Sequence, residues 1–524
     1  MTSPIRGVVR AAALAALTVA RAQTADPASV TIDSGPVRGV ATRAVISWKG
    51  IPYAAPPVGP LRWRDPQPVP PWTDVRAAAE FGPSCIQADT VPKSEDCLTI
   101  NVWRPVHIGR RALPVMVWIH AGAMVHGGAA LHPLDAVAGQ GVVAVSMNYR
   151  LGRLGYFAHP ALAAEAPDDV RGNYGFMDQR AALQWVQRNI AAFGGDPQQV
   201  TIFGESSGGG SVLAHLVSPL SRGLFQRAIL QSPIAPTARA DATPSSDLAT
   251  AEKIAVDWSR SVGVAGDGPA ALRQLRALPP DQLFAATSDV ETFAALAAGT
   301  TLPGLAMAII DGRFLPETPE AALAAGHQAR VPVIVGANDR DLALGAAGDK
   351  DELFAAFGLE RDVARRLYDP RGDQAVDELK QQAFADRTVL EPVRHLANLL
   401  ARSGQPVWLY RFAYVPESMR AENLGTLHGL EIPFTLSVPA PMVGKKVTAT
   451  DRAMADLVSA YWVAFALTGD PNGGGRPVWP RYDSAVDRLL HVTNSGIIVG
   501  TDPLKPRLDL WERIRSRVGS TDER

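Results

Sequence analysis

The chain has 524 residues, enough to bury a large core and, on length alone, to form two or three domains. Hydrophobic residues make up 47% and charged residues 20%, the balance of an ordinary globular protein rather than a disordered or collagen-like one. A net charge of −1, with no Lys/Arg-rich run, argues against nucleic acid and anionic membrane surfaces as partners.

At the N-terminus, Arg6 and Arg10 precede the apolar run from Ala11 to Ala20, and Ala20-Arg21-Ala22 follows as an A-x-A cleavage site. This is the layout of a secretory signal peptide, residues 1–22, and it predicts a soluble mature protein in the periplasm or outside the cell. No other apolar run is long enough to span a bilayer. The two cysteines, Cys85 and Cys97, lie close together in a polar segment. Export permits a bridge between them, closing a short loop. Zinc is not expected, because two cysteines cannot complete a site and no histidine pair lies nearby.

Val30 to Val40 reads as strand, turn and strand. A Pro-rich run then extends from Gly50-Ile51-Pro52-Tyr53 through Pro71-Trp72, and it is expected to wrap the surface rather than to form helix or central strand. Leu98–Trp103, Pro114–His120 and Val142–Tyr149 are β-rich, the last two almost wholly apolar, as strands covered on both faces must be. Asp178 to Phe193 has helical spacing and is stopped by Gly194-Gly195. The strand Val200–Gly204 follows, then the apolar strand Arg227–Gln231. Residues 235–330 are Ala-rich and helical, Val331–Val335 and Val407–Tyr414 are strands, and Asp451–Leu467 is an amphipathic helix stopped by Gly469. Strands alternating with helices predict an α/β fold with a mostly parallel sheet covered on both faces. No internal repeat and no interdomain linker is visible, so residues 23–524 are expected to form one domain. Helical insertions at about 235–330 and 345–400 would lie over one sheet.

The chemistry centres on Gly204-Glu205-Ser206-Ser207-Gly208. This G-x-S-x-G sits between a strand and a helix, the nucleophile-elbow arrangement of serine hydrolases. An activated serine needs a base and a group that orients the base, in the chain order Ser, acid, His. His428, in a loop after the Val407–Tyr414 strand, lies where sites form in open α/β sheets. Both Asp339 and Asp341 follow the strand Val331–Val335 and are candidates for the acid. The small residues Ala121-Gly122-Ala123 after the strand ending at His120 would let backbone N–H groups, with that of Ser207, surround an oxyanion.

These motifs resemble those of the type-B carboxylesterases, the family that includes cholinesterases and bacterial para-nitrobenzyl esterases, from about residue 30 to about residue 515. The matching stretches are Gly50-Ile51-Pro52-Tyr53-Ala54, Glu95-Asp96-Cys97-Leu98, Gly172-Asn173-Tyr174-Gly175, Phe193-Gly194-Gly195-Asp196-Pro197 and His428-Gly429-Leu430-Glu431. The resemblance implies an α/β-hydrolase fold and a two-step ester hydrolysis that requires no cofactor or metal. It implies Ser206 as nucleophile, His428 as base, and Gly122, Ala123 and Ser207 as oxyanion donors. Aligning Gly336 and Asn338 with the family's G-x-N-x-x-E-G places Asp341 on the acid, an aspartate where glutamate is usual, with Asp339 in reserve. Ser232 is expected to support the acid, Glu205 to lie beside the catalytic groups, and Cys85 to pair with Cys97 as in the family's first disulfide.

The oxyanion loop departs from the family pattern as well. The usual H-G-G-G-F or H-G-G-A-F loop is His120-Ala121-Gly122-Ala123-Met124 here. Ala121 replaces a glycine, so a positive φ there would cost about 1 kcal/mol or more. With an unperturbed histidine, activity is expected to fall as pH drops through about 6.5. The alternative from another class is a cholinesterase-like binding protein that keeps the fold without the triad. The H-x-x-E of His428 and Glu431 is a poor metal motif, lacking a partner histidine. The partner is expected to be a small-molecule ester. Neither Met124 nor His126 identifies which ester, and the oligomeric state is not legible.

Overall fold

The computed structural model describes residues 26–89, 91–234, 247–284, 308–342, 348–423, 425–439 and 446–519. The expected leader, 1–22, and parts of the two expected helical insertions lie outside them.

The apolar runs of the sequence assemble by their period of two. In β7 (Leu113–Ile119), Val115, Val117 and Ile119 point to one side of the sheet, while Met116 and Trp118 point to the other. The same division holds in β11 (Val333–Asn338), with Val333 and Val335 opposite Ile334, and in β12 (Val407–Ala413), with Val407 and Leu409 opposite Trp408 and Tyr410. Strands buried on both faces belong at the centre of a layered sheet. They are joined by β8 (Val143–Met147), β9 (Gly195–Glu205) and β10 (Arg227–Gln231).

The sheet has 11 strands in the order β14-β13-β12-β11-β10-β9-β7-β8-β6-β4-β3. The flanking strands are β3 (Val40–Ala41), β4 (Val45–Pro52), β6 (Thr99–Pro105), β13 (Arg488–Thr493) and β14 (Gly496–Thr501). From β8 to β13 every pairing is parallel, and both flanks are antiparallel. Strands β1 (Ser29–Ile32), β2 (Gly35–Arg38) and β5 (Arg76–Ala77) form a separate small sheet.

Helices cover both faces. On one, α1 (Tyr174–Asn189) and α2 (Ser207–Val217) contribute Phe176, Leu183, Val186, Val212, Leu213 and Leu216 to the larger core. On the other, α3 (Ala449–Thr468) contributes Val458, Trp462 and Phe465. The long helix α3 is delimited as its sequence suggests. Thr448 and Asp451 form a reciprocal capping box, and Gly469 takes φ 81° just past the end. Helices on both faces of a mostly parallel sheet make this a layered α/β architecture.

One expectation is corrected. Gly50-Ile51-Pro52 is not the start of a surface wrap but the end of β4, pairing with β6. Pro52 is tolerated because it stands at the strand terminus, beyond the register shift between Trp48 and Ile51.

Cys85 and Cys97 are bridged, with Cα atoms 5.0 Å apart and a separation of 12 residues. Among the described residues no helix is long and apolar enough to cross a membrane. Replacing both cysteines by serine is expected to lower the unfolding free energy by about 2–3 kcal/mol, the loop-closure effect for a short loop. Urea denaturation checks this; an unchanged midpoint would show that the segment is held without the bridge.

Candidate active site

The site forms where parallel strands end and their loops meet. Strand β9 stops at Glu205, Ser206 takes φ 56° and ψ −123°, and α2 starts at Ser207. That turn is possible only because its neighbours lack side chains. A Cβ on Gly204 would lie 2.6 Å from the Gly208 carbonyl carbon, and one on Gly208 would lie 2.2 Å from Ile119 O. The turn is pinned from the next strand, with Ser206 N–H donating to Gln231 O (3.0 Å) and Ile234 N–H to Ser206 O (3.0 Å).

Strand β11 runs into the turn that carries both candidate carboxyl groups, Asp339 and Asp341. Of the two candidates, Asp341 is the one that reaches His428: its Oδ1 is hydrogen-bonded to His428 Nδ1. Its Oδ2 accepts from Ser232 Oγ (2.5 Å) and from Asn338 N–H (3.1 Å). Ser232 makes this contact from a left-handed conformation, φ 40°, at the end of β10. Asp339 faces elsewhere and accepts from Thr426 N–H at 2.7 Å. Burial is the main influence on Asp339 and raises it to about 6.

The loop that carries His428 is fastened to the acid loop at several points. Arg340 N–H donates to Thr426 O (3.2 Å), and Asn338 Nδ2 donates to Leu427 O (2.8 Å) and to Glu431 Oε2 (2.6 Å). The imidazole Nε2 lies 3.3 Å from Glu205 Oε1. Because Glu205 directly precedes Ser206, this places the ring's Nε2 edge at the elbow. The expected Ser206, Asp341, His428, Ser232 and Glu205 therefore come together in one place. Sequence reading assigned no role to Asn338 or Glu431, although both lie inside motifs it singled out.

Three buried carboxyl groups surround His428. Burial holds Glu205 well above the usual carboxylate range; His428 opposes this, and the charges of Glu431 and Asp341 add to it. Burial, followed by the Asp341 charge, pushes Glu431 to about 7. Burial pulls His428 down, but the negative charges of Glu205 and Asp341 outweigh it and leave the imidazole above its ordinary value. The expectation of an unperturbed histidine is thereby corrected.

The candidate oxyanion loop departs from expectation in a different way. Ala121 needs no left-handed backbone; the positive φ angles fall at Gly122 (118°), Ala123 (50°) and Met124 (60°). The strain of about 1 kcal/mol per non-glycine residue thus sits at Ala123 and Met124. The loop is tied to the elbow by Met124 N–H, which donates to Ser207 Oγ at 3.3 Å. At its start, Tyr149 O–H donates to His120 O (2.8 Å), and the two rings stack with centroids 4.2 Å apart. Burial lowers His120 to about 4, so it is neutral and serves as packing.

The sequence profile of the carboxylesterase family matches residues 26–371 and 359–511. The chain is 37% identical to the fumonisin B1 esterase of Sphingopyxis macrogoltabida, over 92% of this chain and 90% of that one. It is 33% identical to the para-nitrobenzyl esterase of Bacillus subtilis (strain 168), over 90% and 96% of the two chains. A solved PNB esterase structure superposes with a TM-score of 0.78 at 30% identity, covering 93% of this chain and all of that one.

Proposed function

The chain belongs to the carboxylesterase family and is a carboxylic ester hydrolase; on that premise we propose that it acts by a Ser206-His428-Asp341 triad through an acyl-enzyme. The observation that carries this reading is the placement of His428, with Nδ1 on Asp341 and Nε2 at the end of the elbow strand.

In this reading, Asp341 accepts a hydrogen bond from His428 Nδ1–H, which keeps the proton on Nδ1 and leaves Nε2 with a free lone pair for the Ser206 proton. Nε2 takes the Ser206 proton as Oγ attacks the ester carbonyl. The carbonyl oxygen becomes an anion, received by the N–H groups of Gly122, Ala123 and Ser207. Three consecutive left-handed residues curl the loop, and Ser207 opens α2, where N–H groups have no partner within the helix. The protonated histidine gives its proton to the departing alcohol. Water then repeats the sequence on the acyl-serine and releases the acid. The substrate is a small-molecule ester. We read residues 23–524 as one hydrolase domain, which the continuous 11-stranded sheet supports.

The test is a pre-steady-state burst of p-nitrophenol from an aryl ester, together with a mass shift on the Ser206 peptide after treatment with an aryl phosphonate. A linear time course and an unlabelled Ser206 peptide would sink the acyl-enzyme.

The charges around His428 also determine pH dependence. The base works only when neutral, so raising its pKa moves the acid limb of kcat/KM upward, above the ~6.5 of a free histidine. Glu205→Gln removes a carboxyl that, when ionised, places negative charge 3.3 Å from Nε2, and it is expected to move that limb to lower pH. A limb that stays in place in Glu205→Gln would show that this carboxyl does not bear on His428.

A further inference from the structure

The loop from His120 to Gly127 closes on itself. Gly122 O accepts from both Val125 N–H and His126 N–H at 2.9 Å. Its two ends touch: a Cβ on Gly127 would lie 2.4 Å from Ala121 O and 2.7 Å from His120 Nδ1. A Cβ on Gly122 would lie 2.1 Å from His126 O. Moving the Gly127 peptide therefore pushes directly on residues 120–122, and with them on the Gly122 and Ala123 N–H groups.

Gly127 is held from outside the loop. Gln87 is 1% exposed and lies in the stretch bridged by Cys85 and Cys97. Its Oε1 accepts from Gly127 N–H at 2.8 Å, and its Nε2 donates to Gly127 O at 2.8 Å and to Cys85 O at 3.0 Å. The carboxamide pairs with the peptide on both sides, much as one strand pairs with another. Gln87's own carbonyl accepts from Lys93 Nζ at 2.6 Å, within the same bridged stretch. A glutamine on a loose loop would lose considerable rotamer entropy in such a pairing. Here the disulfide and Lys93 have already ordered the backbone that bears it.

We propose that Gln87 is a positioning residue for the oxyanion hole, its carboxamide fixing the Gly127 peptide and so the direction of the Gly122 and Ala123 N–H groups. This rests on the reading of those two residues and Ser207 as the oxyanion donors. Gln87 does not touch substrate. Its effect is on the transition state, where the carbonyl oxygen carries charge, more than on the bound ester.

The experiment compares turnover of an aryl ester with inhibition by a trifluoromethyl ketone. Ser206 Oγ adds to the ketone carbon, its proton passes to His428, and the carbonyl oxygen is left as the anion the hole receives. Gln87→Met keeps the volume and removes all three side-chain hydrogen bonds. It is expected to lower kcat about tenfold, less than the ~10²–10³ lost when a donor is removed outright. KM should stay within about twofold, and the ketone's inhibition constant should rise by about the same factor as kcat falls. Gln87→Glu keeps an acceptor for Gly127 N–H but, once ionised, has no proton for Gly127 O or Cys85 O, so it is expected to lower kcat and ketone affinity relative to the native enzyme wherever the carboxyl is ionised. Ile86→Ala, a packing change next to Gln87, should lower the melting temperature and leave kcat in place.

A Gln87→Met variant with native kcat and native ketone inhibition overturns the proposal, as does one whose only change is a lower melting temperature. If Gln87→Met does not fold, Gln87→Glu decides: a kcat and a ketone inhibition constant equal to the native enzyme's throughout pH 6 to 9 overturn it. If the native enzyme binds the ketone no more tightly than the corresponding trifluoro alcohol, the oxyanion reading itself fails and the proposal falls with it.

Discussion

Ser206→Ala is expected to reduce the hydrolysis of a simple aryl ester by at least ~10⁴-fold while leaving the fold unchanged. The size follows from what is removed. Without Oγ no acyl-serine can form, and the remaining groups act only on water, with the residual acceleration that an oxyanion hole and binding supply. The fold should survive because the elbow is held by its backbone and by glycines, not by the serine hydroxyl. Gly204 and Gly208 make the close approaches, and Ser206 is pinned through its N–H and C=O. Alanine meets the same left-handed φ of 56° as serine and adds no bulk. Steady-state kinetics with circular dichroism on the same sample checks both halves; retained turnover in a folded variant would falsify Ser206 as nucleophile.

Asp341→Asn is expected to cost about 10⁴-fold in kcat, the order of loss when a triad carboxylate becomes an amide and holds the histidine in the wrong tautomer. In this variant the amide would face His428 Nδ1 either with its N–H₂, forcing the ring proton to Nε2, or with a weaker neutral acceptor. The first outcome leaves no lone pair for the Ser206 proton. Two donors, Ser232 Oγ and Asn338 N–H, already point at the second carboxyl oxygen and favour presenting the N–H₂ to the histidine. Asp339→Asn separates the two candidates. It keeps an acceptor for Thr426 N–H and should alter kcat by no more than a few fold. Equal losses in the two variants, or a larger loss at Asp339, would reverse the assignment of the acid.

How much of this site could be read from the chain depends on how local each constraint is. The elbow is entirely local: a strand, two glycines at fixed offsets from a serine, and a helix. Its backbone geometry follows from which residues can make so tight a turn. The His428 loop was legible through its motif, but the fastenings that orient the ring were not. Asn338 bonds both Leu427 O and Glu431 from 89 and 93 residues away, and nothing in the spacing announces that. Asp339 and Asp341 lie two residues apart in one turn; the motif favoured Asp341, but the contacts that separate the two, with His428 and with Thr426 N–H, are tertiary. The left-handed Leu342, φ 43°, lies immediately beyond Asp341 in the folded chain. Gln87 carries no sequence signal at all beyond its place two residues after Cys85, because its partner is a backbone peptide 40 residues away.

The sheet divides in a similar way. Its parallel centre was legible because strands covered on both faces must be apolar throughout. The closing hairpin of β13 and β14 was not anticipated: β14 is only half-buried and exposed in turn, which weakens its apolar pattern. Strand β4 was hidden by Pro52, a residue that excludes a strand interior but not a strand end.

By itself, then, the sequence determined the class of fold, the nucleophile candidate, the order of catalytic groups and the family, because each depends on short-range patterns: alternation, glycines where Cβ atoms cannot fit, and motifs with fixed offsets. Only the tertiary structure decided which aspartate bonds His428, where the 120–127 loop takes its positive φ angles, in which direction the buried carboxyl groups shift the histidine, and which distant side chain bonds Gly127. Those are properties of groups brought together from across the chain, and burial and Coulomb energy depend on the distances that folding sets.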